Sequence, residues 1–213
     1  MKDSGVEWIG EIPEHWGVSR NYSIYSEAKR EGKSTLPILS VSIHSAVSNE
    51  EISGDENIQG RNRIEDKSNY KLVYRDDIVF NMMRAWQGAI GAVRVKEGLV
   101  SPAYIVATPI KEVNADYIEF LFRTDLFVQQ INRFSKGITD FRKRLYWDEF
   151  KNLNIILPPI AEQKSIATYL NRSIEKTGIA VVALKNQIEK LQEYKSTLID
   201  HAVTGKIKVS ELG

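Results

Sequence analysis

The 213-residue chain contains no cysteine. That absence excludes a disulfide framework and any thiolate zinc site, and it fits a reducing cytoplasm. Histidine is scarce, and His15, His44 and His201 stand too far apart to form a ligand motif. Neither sign of charge predominates: 29 basic residues face 28 acidic ones, so any nucleic-acid site has to be a local cluster and not a global field. No apolar run approaches the roughly 20 residues of a membrane span, and the first ten residues, MKDSGVEWIG, lack the apolar centre of a signal peptide. Low-complexity tracts are missing as well.

What the chain does have is one exceptional stretch, residues 160–204. Ala167, Leu170, Ile174, Thr177, Val181, Leu184, Ile188, Leu191, Lys195, Leu198 and Ala202 follow one another at alternating steps of three and four, a heptad pattern with one basic intruder. The flanks agree with a helix: Pro158-Pro159 at its start, Glu162 near the positive end of the dipole, and Gly205 as a stop. At 1.5 Å per residue such a helix is about 67 Å long, too long for a domain of this size, so it is expected to project and to need a partner. Ile166, Ile179, Val182, Tyr194, Ile199 and Val203 widen the apolar stripe beyond a two-stranded seam and favour a bundle of three or four helices. Gly178 is a weak point inside it.

The remainder has the length of one domain of about 150 residues. Trp8 and Trp16 belong to an ordered lead-in, and Asn21 to Arg30 reads as a short helix. A strand is expected over Leu36–Ile43 and a long polar loop, with Arg61 and Arg63, over residues 44–68. Lys71–Tyr74, Ile78–Asn81, Ala89–Val95 and Gly98–Val106 carry the densest strand signals. Asp116–Phe134 reads as one amphipathic helix, and Leu153–Leu157 as a last strand before the prolines. Many short strands with few helices predict an α+β fold: a mixed-sheet domain followed by one long coiled-coil-type helix.

Tests for catalytic chemistry fail. Gly32-Lys33-Ser34-Thr35 imitates a phosphate-binding loop, but its required first glycine is Glu27. Glu149-Phe150-Lys151 with Asp140 imitates a nuclease motif without a second placed carboxylate. Pro158-Pro159 follows Leu157, not the Asn or Asp with which an amino-methyltransferase holds its target. A contact surface is present instead. Arg133, Lys136, Arg142, Lys143 and Arg144 interleave with Phe134, Phe141, Tyr146 and Trp147, a pattern suited to clamping phosphates. In the insert Met82–Gly88, Arg84 and Gln87 are candidates for reading base edges, whereas Trp86 reads as packing.

Several segments together resemble a known family. They are Trp8-Ile9-Gly10-Glu11-Ile12-Pro13-Glu14-His15-Trp16, Leu39-Ser40-Val41-Ser42, Phe80-Asn81-Met82-Met83-Arg84-Ala85-Trp86-Gln87-Gly88 and Val100-Ser101-Pro102-Ala103-Tyr104. Later come Arg142-Lys143-Arg144-Leu145-Tyr146-Trp147, Leu157-Pro158-Pro159-Ile160-Ala161-Glu162-Gln163 and His201-Ala202-Val203-Thr204-Gly205. In this order they resemble the specificity (S) subunit of a Type I restriction–modification system. The resemblance implies a DNA target recognition domain over residues 1–155 that reads one half of a bipartite site. It makes residues 156–213 the conserved spacer helix, which docks methyltransferase (M) subunits. It further implies a non-catalytic subunit. S-adenosylmethionine-dependent adenine-N6 methylation, and cleavage with ATP and Mg by the restriction (R) subunit, belong to its partners. Family members usually carry two recognition domains, whereas the Trp-Gln-Gly insert and the Leu-Pro-Pro…Glu-Gln junction occur once here. A half-length subunit is therefore expected, two copies pairing through antiparallel helices at Leu170, Ile174, Val181, Leu184, Ile188, Leu191 and Leu198. The alternative is a truncated half-subunit that serves only as a scaffold for the M subunit.

Overall fold

The computed structural model describes residues 1–6, 9–32, 35–43, 46–48, 69–137 and 143–207. The chain divides into two compact units, Met1–Ala167 and Thr168–Gly213.

The first unit opens with a small antiparallel hairpin of β1 (Lys2–Asp3) and β2 (Glu11–Ile12). Strand β3 (Gly17–Arg20) then leads through a 3-10 turn at Asn21–Ser23 into β4 (Tyr25–Glu27). Strands β5 (Ser40–Ser42) and β6 (Ala46–Ser48) pair with each other. After them come β7 (Lys71–Tyr74), β8 (Ile78–Asn81), a 3-10 turn at Ala85–Gln87, β9 (Ile90–Ala92), β10 (Glu97–Val100) and β11 (Tyr104–Pro109). Helices α1 (Ala115–Phe122), α2 (Asp125–Phe134) and α3 (Trp147–Phe150) precede β12 (Asn154–Leu157) and the long α4 (Ile160–Val203).

The centre is a four-stranded antiparallel sheet in the order β4-β11-β8-β9. Strand β8 and the first half of β11 are apolar on both faces because both faces are covered there. Ile78 and Phe80 of β8 join Ile105 and Ala107 of β11 beneath the helices, with Phe122, Phe127, Ile131 and Phe150. The alternate residues Val79, Tyr104 and Val106 face the opposite way, onto Leu39, Val73 and Val100 from β7, β10 and the segment before β5. Period-two alternation thus survives with no polar side, as a strand buried on both faces requires. Each fully buried Val, Leu, Ile or Phe contributes about 1.5–3 kcal/mol, and this layer holds the unit together. The described ladders are antiparallel, and a parallel bridge between Ile38 and Leu99 gives the β layer its mixed character.

Between β7 and β8 the chain turns at Asp76, whose φ is 70°, so that β7 pairs with β10 and not with β8. Asp77 makes this turn durable. Its carboxylate, 1% exposed as a residue, accepts from Arg30 Nη1 at 2.6 Å, Thr108 Oγ1 at 2.7 Å and Tyr74 N at 2.8 Å. A buried carboxylate with three donors and a guanidinium partner meets the conditions under which burying charge is tolerated.

Five sequence expectations need correction. Asn21–Arg30 is not a helix: Ile24 and Tyr25 are buried, and Tyr25–Glu27 pairs with β11, so sheet partners override local propensity. The single helix over Asp116–Phe134 is two. Thr124 is extended and its hydroxyl caps α2 by accepting from Phe127 N at 3.3 Å, while the Phe122 and Phe127 rings, 4.6 Å apart, meet in the same core. Gly98–Val106 is split by a turn in which Tyr104 N donates to Ser101 O, with Pro102 unable to donate to a ladder. The strand over Leu36–Ile43 shortens to Ser40–Ser42 because Pro37–Leu39 bonds to Leu99 in a parallel bridge instead, and Ala46–Ser48 is strand where the polar composition predicts loop. Residues 44–45 and 49–68 of that loop, and Trp8, lie outside the described residues.

The first turns of α4 belong to this unit. Pro159, with no side-chain acceptor, precedes the helix and its carbonyl accepts from Glu162 N and Gln163 N at 2.9 and 3.0 Å. Gln163 is buried, donating to Pro158 O at 2.8 Å and accepting from Asn114 N at 2.9 Å. The Glu162 carboxylate accepts from the Trp16 indole at 3.0 Å and pairs with His15 Nε2 at 2.7 Å. The hydrogen bond from Trp16, supplemented by His15, holds that carboxyl below its ordinary range against the opposing effect of desolvation.

The second unit is the rest of the helix and its stop. No residue over 168–207 is buried, and the heptad side chains stand open, Leu184 at 57% and Leu191 at 67% exposure. The helix ends in a Schellman motif: Gly205 has φ 73°, Lys206 N donates to His201 O at 2.8 Å and Gly205 N to Ala202 O at 3.3 Å.

Candidate nucleic-acid interface

The insert between β8 and β9 is a tight turn built on Asn81. Its side chain accepts from Met83 N at 2.9 Å and its carbonyl from Arg84 N at 3.1 Å. Arg84 O then accepts from Gln87 N at 2.9 Å and Ala89 N at 3.1 Å, and Gly88 closes the turn in the left-handed region, at φ 97°. Ala85 is buried; Met82 and Trp86 pack against the core, with the Trp86 indole donating to Met83 O at 2.9 Å. That leaves Met83 and Gln87 exposed and Arg84 half-exposed on the outside of the turn.

The basic segment is attached to this turn. Lys136 N donates to Arg144 O at 2.9 Å and Arg144 N to Lys136 O at 2.8 Å, an antiparallel bridge between the two residues. Leu145 N then donates to Met82 O at 2.9 Å, while the Leu145 side chain enters the core. Helix α2, which carries Arg133 in its last turn, packs against the 3-10 turn at Ala85–Gln87. Two segments some fifty residues apart in sequence are therefore neighbours, and between them they carry Arg84, Gln87, Arg133, Lys136, Lys143 and Arg144. Arg61, Arg63 and Arg142 lie outside the described residues.

Their states differ. The Lys136 ammonium is paired with Glu149, a buried side chain, and that hydrogen bond raises its pKa. Lys143 Nζ donates to Asn132 Oδ1 at 2.7 Å. Arg84, Arg133 and Arg144 have no ion pair among the described residues. Arginines with structural roles look different: Arg30 is on Asp77, Arg94 on Asp116 and Glu119, and Arg123 donates to Ile43 O at 2.8 Å. An arginine without an acid partner retains its donors for a phosphate or for the O6/N7 edge of guanine. Phe134 and Tyr146, also on this segment, are exposed.

Sequence reading missed the residues that assemble the surface, Asn81, Leu145 and Glu149. Asn81 acts through its side-chain oxygen and its carbonyl, and Leu145 through a backbone N–H whose partner lies far away in sequence. The imitation of a nuclease motif dissolves into two separate pairs, Glu149 with Lys136 and Lys151 with Asp148 at 2.6 Å. Among the described residues no group of three or more His, Cys, Asp or Glu side chains could hold a metal. No helix among them is long and apolar enough to cross a membrane.

The fold is an α+β domain with a basic turn and segment joined by backbone hydrogen bonds, followed in sequence by a long helix with an open heptad seam. The chain belongs to the family described as Type I restriction modification DNA specificity domain, whose model matches residues 6–190. Its fold is similar to a chain from a structure of the assembly and conformational transition of the type I R-M system. There the TM-score is 0.61 at 13% identity, covering 91% of this chain and 47% of that one. The HsdS subunit from Thermoanaerobacter tengcongensis matches with TM-score 0.51 and 14% identity, over 79% of this chain and 40% of that one. The Type-I restriction-modification S subunit from M. genitalium matches with TM-score 0.50 and 11% identity, over 78% and 41%. The chain thus spans less than half the length of the structures it matches.

Proposed function

We propose that residues 1–155 read one half of a bipartite duplex DNA site. Residues 156–213 are the spacer that pairs two copies of the chain antiparallel and docks M subunits. The observation that carries the reading is the hydrogen bond from Leu145 N to Met82 O. It places the Met82–Gly88 turn and the Lys136–Arg144 bridge side by side, with three arginines that have no acid partner among the described residues. Arg84 and Gln87 have the hydrogen-bonding chemistry of base readers, and Arg133 and Arg144 that of phosphate clamps. Lys136 and Lys143 are already engaged with protein partners and tune the local charge. Chemistry resides on the partners: the M subunits transfer methyl groups from S-adenosylmethionine to adenine N6, and the R subunit uses ATP and Mg.

Pairing by the open seam rebuilds a two-domain arrangement with twofold symmetry, so the target is an interrupted palindrome. A helix of about 66 Å covers roughly two turns of DNA at ~34 Å each, leaving several unread base pairs between the half-sites. Methylome sequencing of a host expressing this chain with its M subunit tests this directly. A twofold-symmetric interrupted motif is expected; an asymmetric or continuous motif overturns it.

The exposed seam equally suits a second reading, in which the chain is a scaffold that occupies M subunits without touching DNA. A gel shift with the M subunit present separates the two, since a scaffold does not retard a duplex bearing the methylated motif.

A further inference from the structure

We propose that Trp16, His15 and Asn114, acting on Glu162 and Gln163, form a positioning clamp. It sets the rotational phase at which α4 begins and so selects the separation of the two half-sites. The inference rests on the pairing just proposed and adds to it which side chains determine the spacing.

The clamp is built where an ordinary helix start would be weak. Pro158-Pro159 supplies neither a backbone N–H nor a capping side chain, so the connector contributes only carbonyl acceptors to the first turn. The anchors come instead from distant segments. Trp16 Nε1 donates to Glu162 Oε2 at 3.0 Å, and His15 Nε2 meets Glu162 Oε1 at 2.7 Å. On the other side Asn114 N donates to Gln163 Oε1 at 2.9 Å, and Gln163 Nε2 reaches back to Pro158 O at 2.8 Å. Gln163 is 3% exposed, so it cannot exchange these partners for water. One turn later Ile166 and Ala167 enter the main core.

At about 100° per residue, Glu162, Gln163, Ile166 and Ala167 span an arc of roughly 140° on the helix. Anchors at both edges of so wide an arc resist rotation about the helix axis as well as tilting. Asn114 is also the cap of α1, its own side chain accepting from Tyr117 N at 2.8 Å, so the clamp is tied to the helical layer under the sheet.

Rotational phase matters because DNA is helical. Changing a spacer by one base pair moves a half-site by about 3.4 Å and turns it by roughly 35°. Two readers joined rigidly then lose simultaneous engagement, whereas readers on loosened joints retain part of it. Apolar packing alone would hold α4 to the domain. Directional hydrogen bonds from two sides are what defining an angle requires.

The test uses the full chain with its M subunits and the motif from methylome sequencing. Affinity is measured on three kinds of duplex: one half-site, two at native separation, and two with the spacer changed by one or two base pairs. For the unaltered protein, spacer changes should cost on the order of tenfold or more. For Glu162→Ala and Gln163→Ala, half-site affinity should stay within about twofold while the penalty for a changed spacer falls to about threefold or less. Trp16→Phe, which keeps an aromatic ring and deletes the N–H donor, gives the same readout should either variant fail to fold. Variants that keep the full spacer penalty overturn the clamp and leave the pairing intact. An unaltered protein indifferent to spacer length overturns the pairing, and the clamp with it.

Discussion

Compare the two units by where their large apolar side chains lie. In Met1–Ala167, Phe80, Phe122, Phe127, Phe150 and Leu99 are fully buried, each held by neighbours of the same unit. In Thr168–Gly213, Ile174, Leu184, Ile188, Leu191 and Leu198 are more than two-fifths exposed. Both segments are rich in the same residue types, yet only the first satisfies them internally. In proteins most helical stability comes from packing of an amphipathic face, and the apolar side chains of this segment have no such cover among the described residues. The first unit covers its apolar side chains itself, and the proposed pairing would cover those of the second.

The comparison breaks most decisively at the seam. Replacing Leu184 and Ile188 with lysine removes about 1.5–3 kcal/mol per deleted apolar side chain, twice over in a symmetric pair, and adds charges to the interface. Light scattering should report a fall from two chains to one, with the thermal transition of the domain unchanged. Loss of that transition would make the seam part of the domain's own core.

Phe80→Ala should do the reverse. Its ring centroid lies 4.6 Å from that of Phe150 in the main core, and truncation should cost about 3–5 kcal/mol by denaturant unfolding. A cost below about 1 kcal/mol would contradict that packing. Next in size, alanine at Arg133 and Arg144 should lower DNA affinity and flatten its salt dependence by about one unit of slope for each phosphate no longer neutralised. An unchanged slope would assign these arginines to folding or to protein partners.

Two smaller effects sharpen the contrast. A Cβ placed on Gly178 meets nothing within 4 Å, so Gly178→Ala should stabilise the helix by about 1 kcal/mol, seen as raised helicity. Lower helicity would mean that the helix requires glycine there. Glu162 provides the acid-side test. Its folded pKa is depressed, so its contribution is present above the unfolded value of about 4.3 and is lost as pH falls through the folded one. The Glu162→Gln variant should lack that acid-dependent loss. Parallel stability–pH curves for the two proteins would remove Glu162 from the fold's acid response.

Much of this architecture is readable from residue spacing. The heptad run from Ala167 to Ala202 defines one helix because 3.6-residue periodicity is a local property, and Ile160–Val203 is helical throughout. Lys71–Tyr74 and Ile78–Asn81 are legible because β-branched and aromatic runs bounded by Asp76-Asp77 admit little else. Asn21–Arg30 misleads because its local preference yields to the partner strand β11, which is distant in sequence. Asp116–Phe134 misleads because apolar spacing continues across Thr124, whose capping geometry depends on how Phe122 and Phe127 converge.

At the candidate interface the arginines can be named from the sequence, but their availability cannot. Lys136 and Arg144 look equivalent as letters, yet one is paired with a buried glutamate and the other has no acid partner among the described residues. Composition and periodicity determined that there would be a domain, a long helix and a basic contact segment, since those follow from short-range chemistry along the chain. Only the tertiary structure decided which charges were neutralised, which loops became neighbours and how Glu162 and Gln163 anchor the helix. Those outcomes depend on groups brought within 3 Å of each other from positions 49 and 146 residues apart, a coincidence no local pattern encodes.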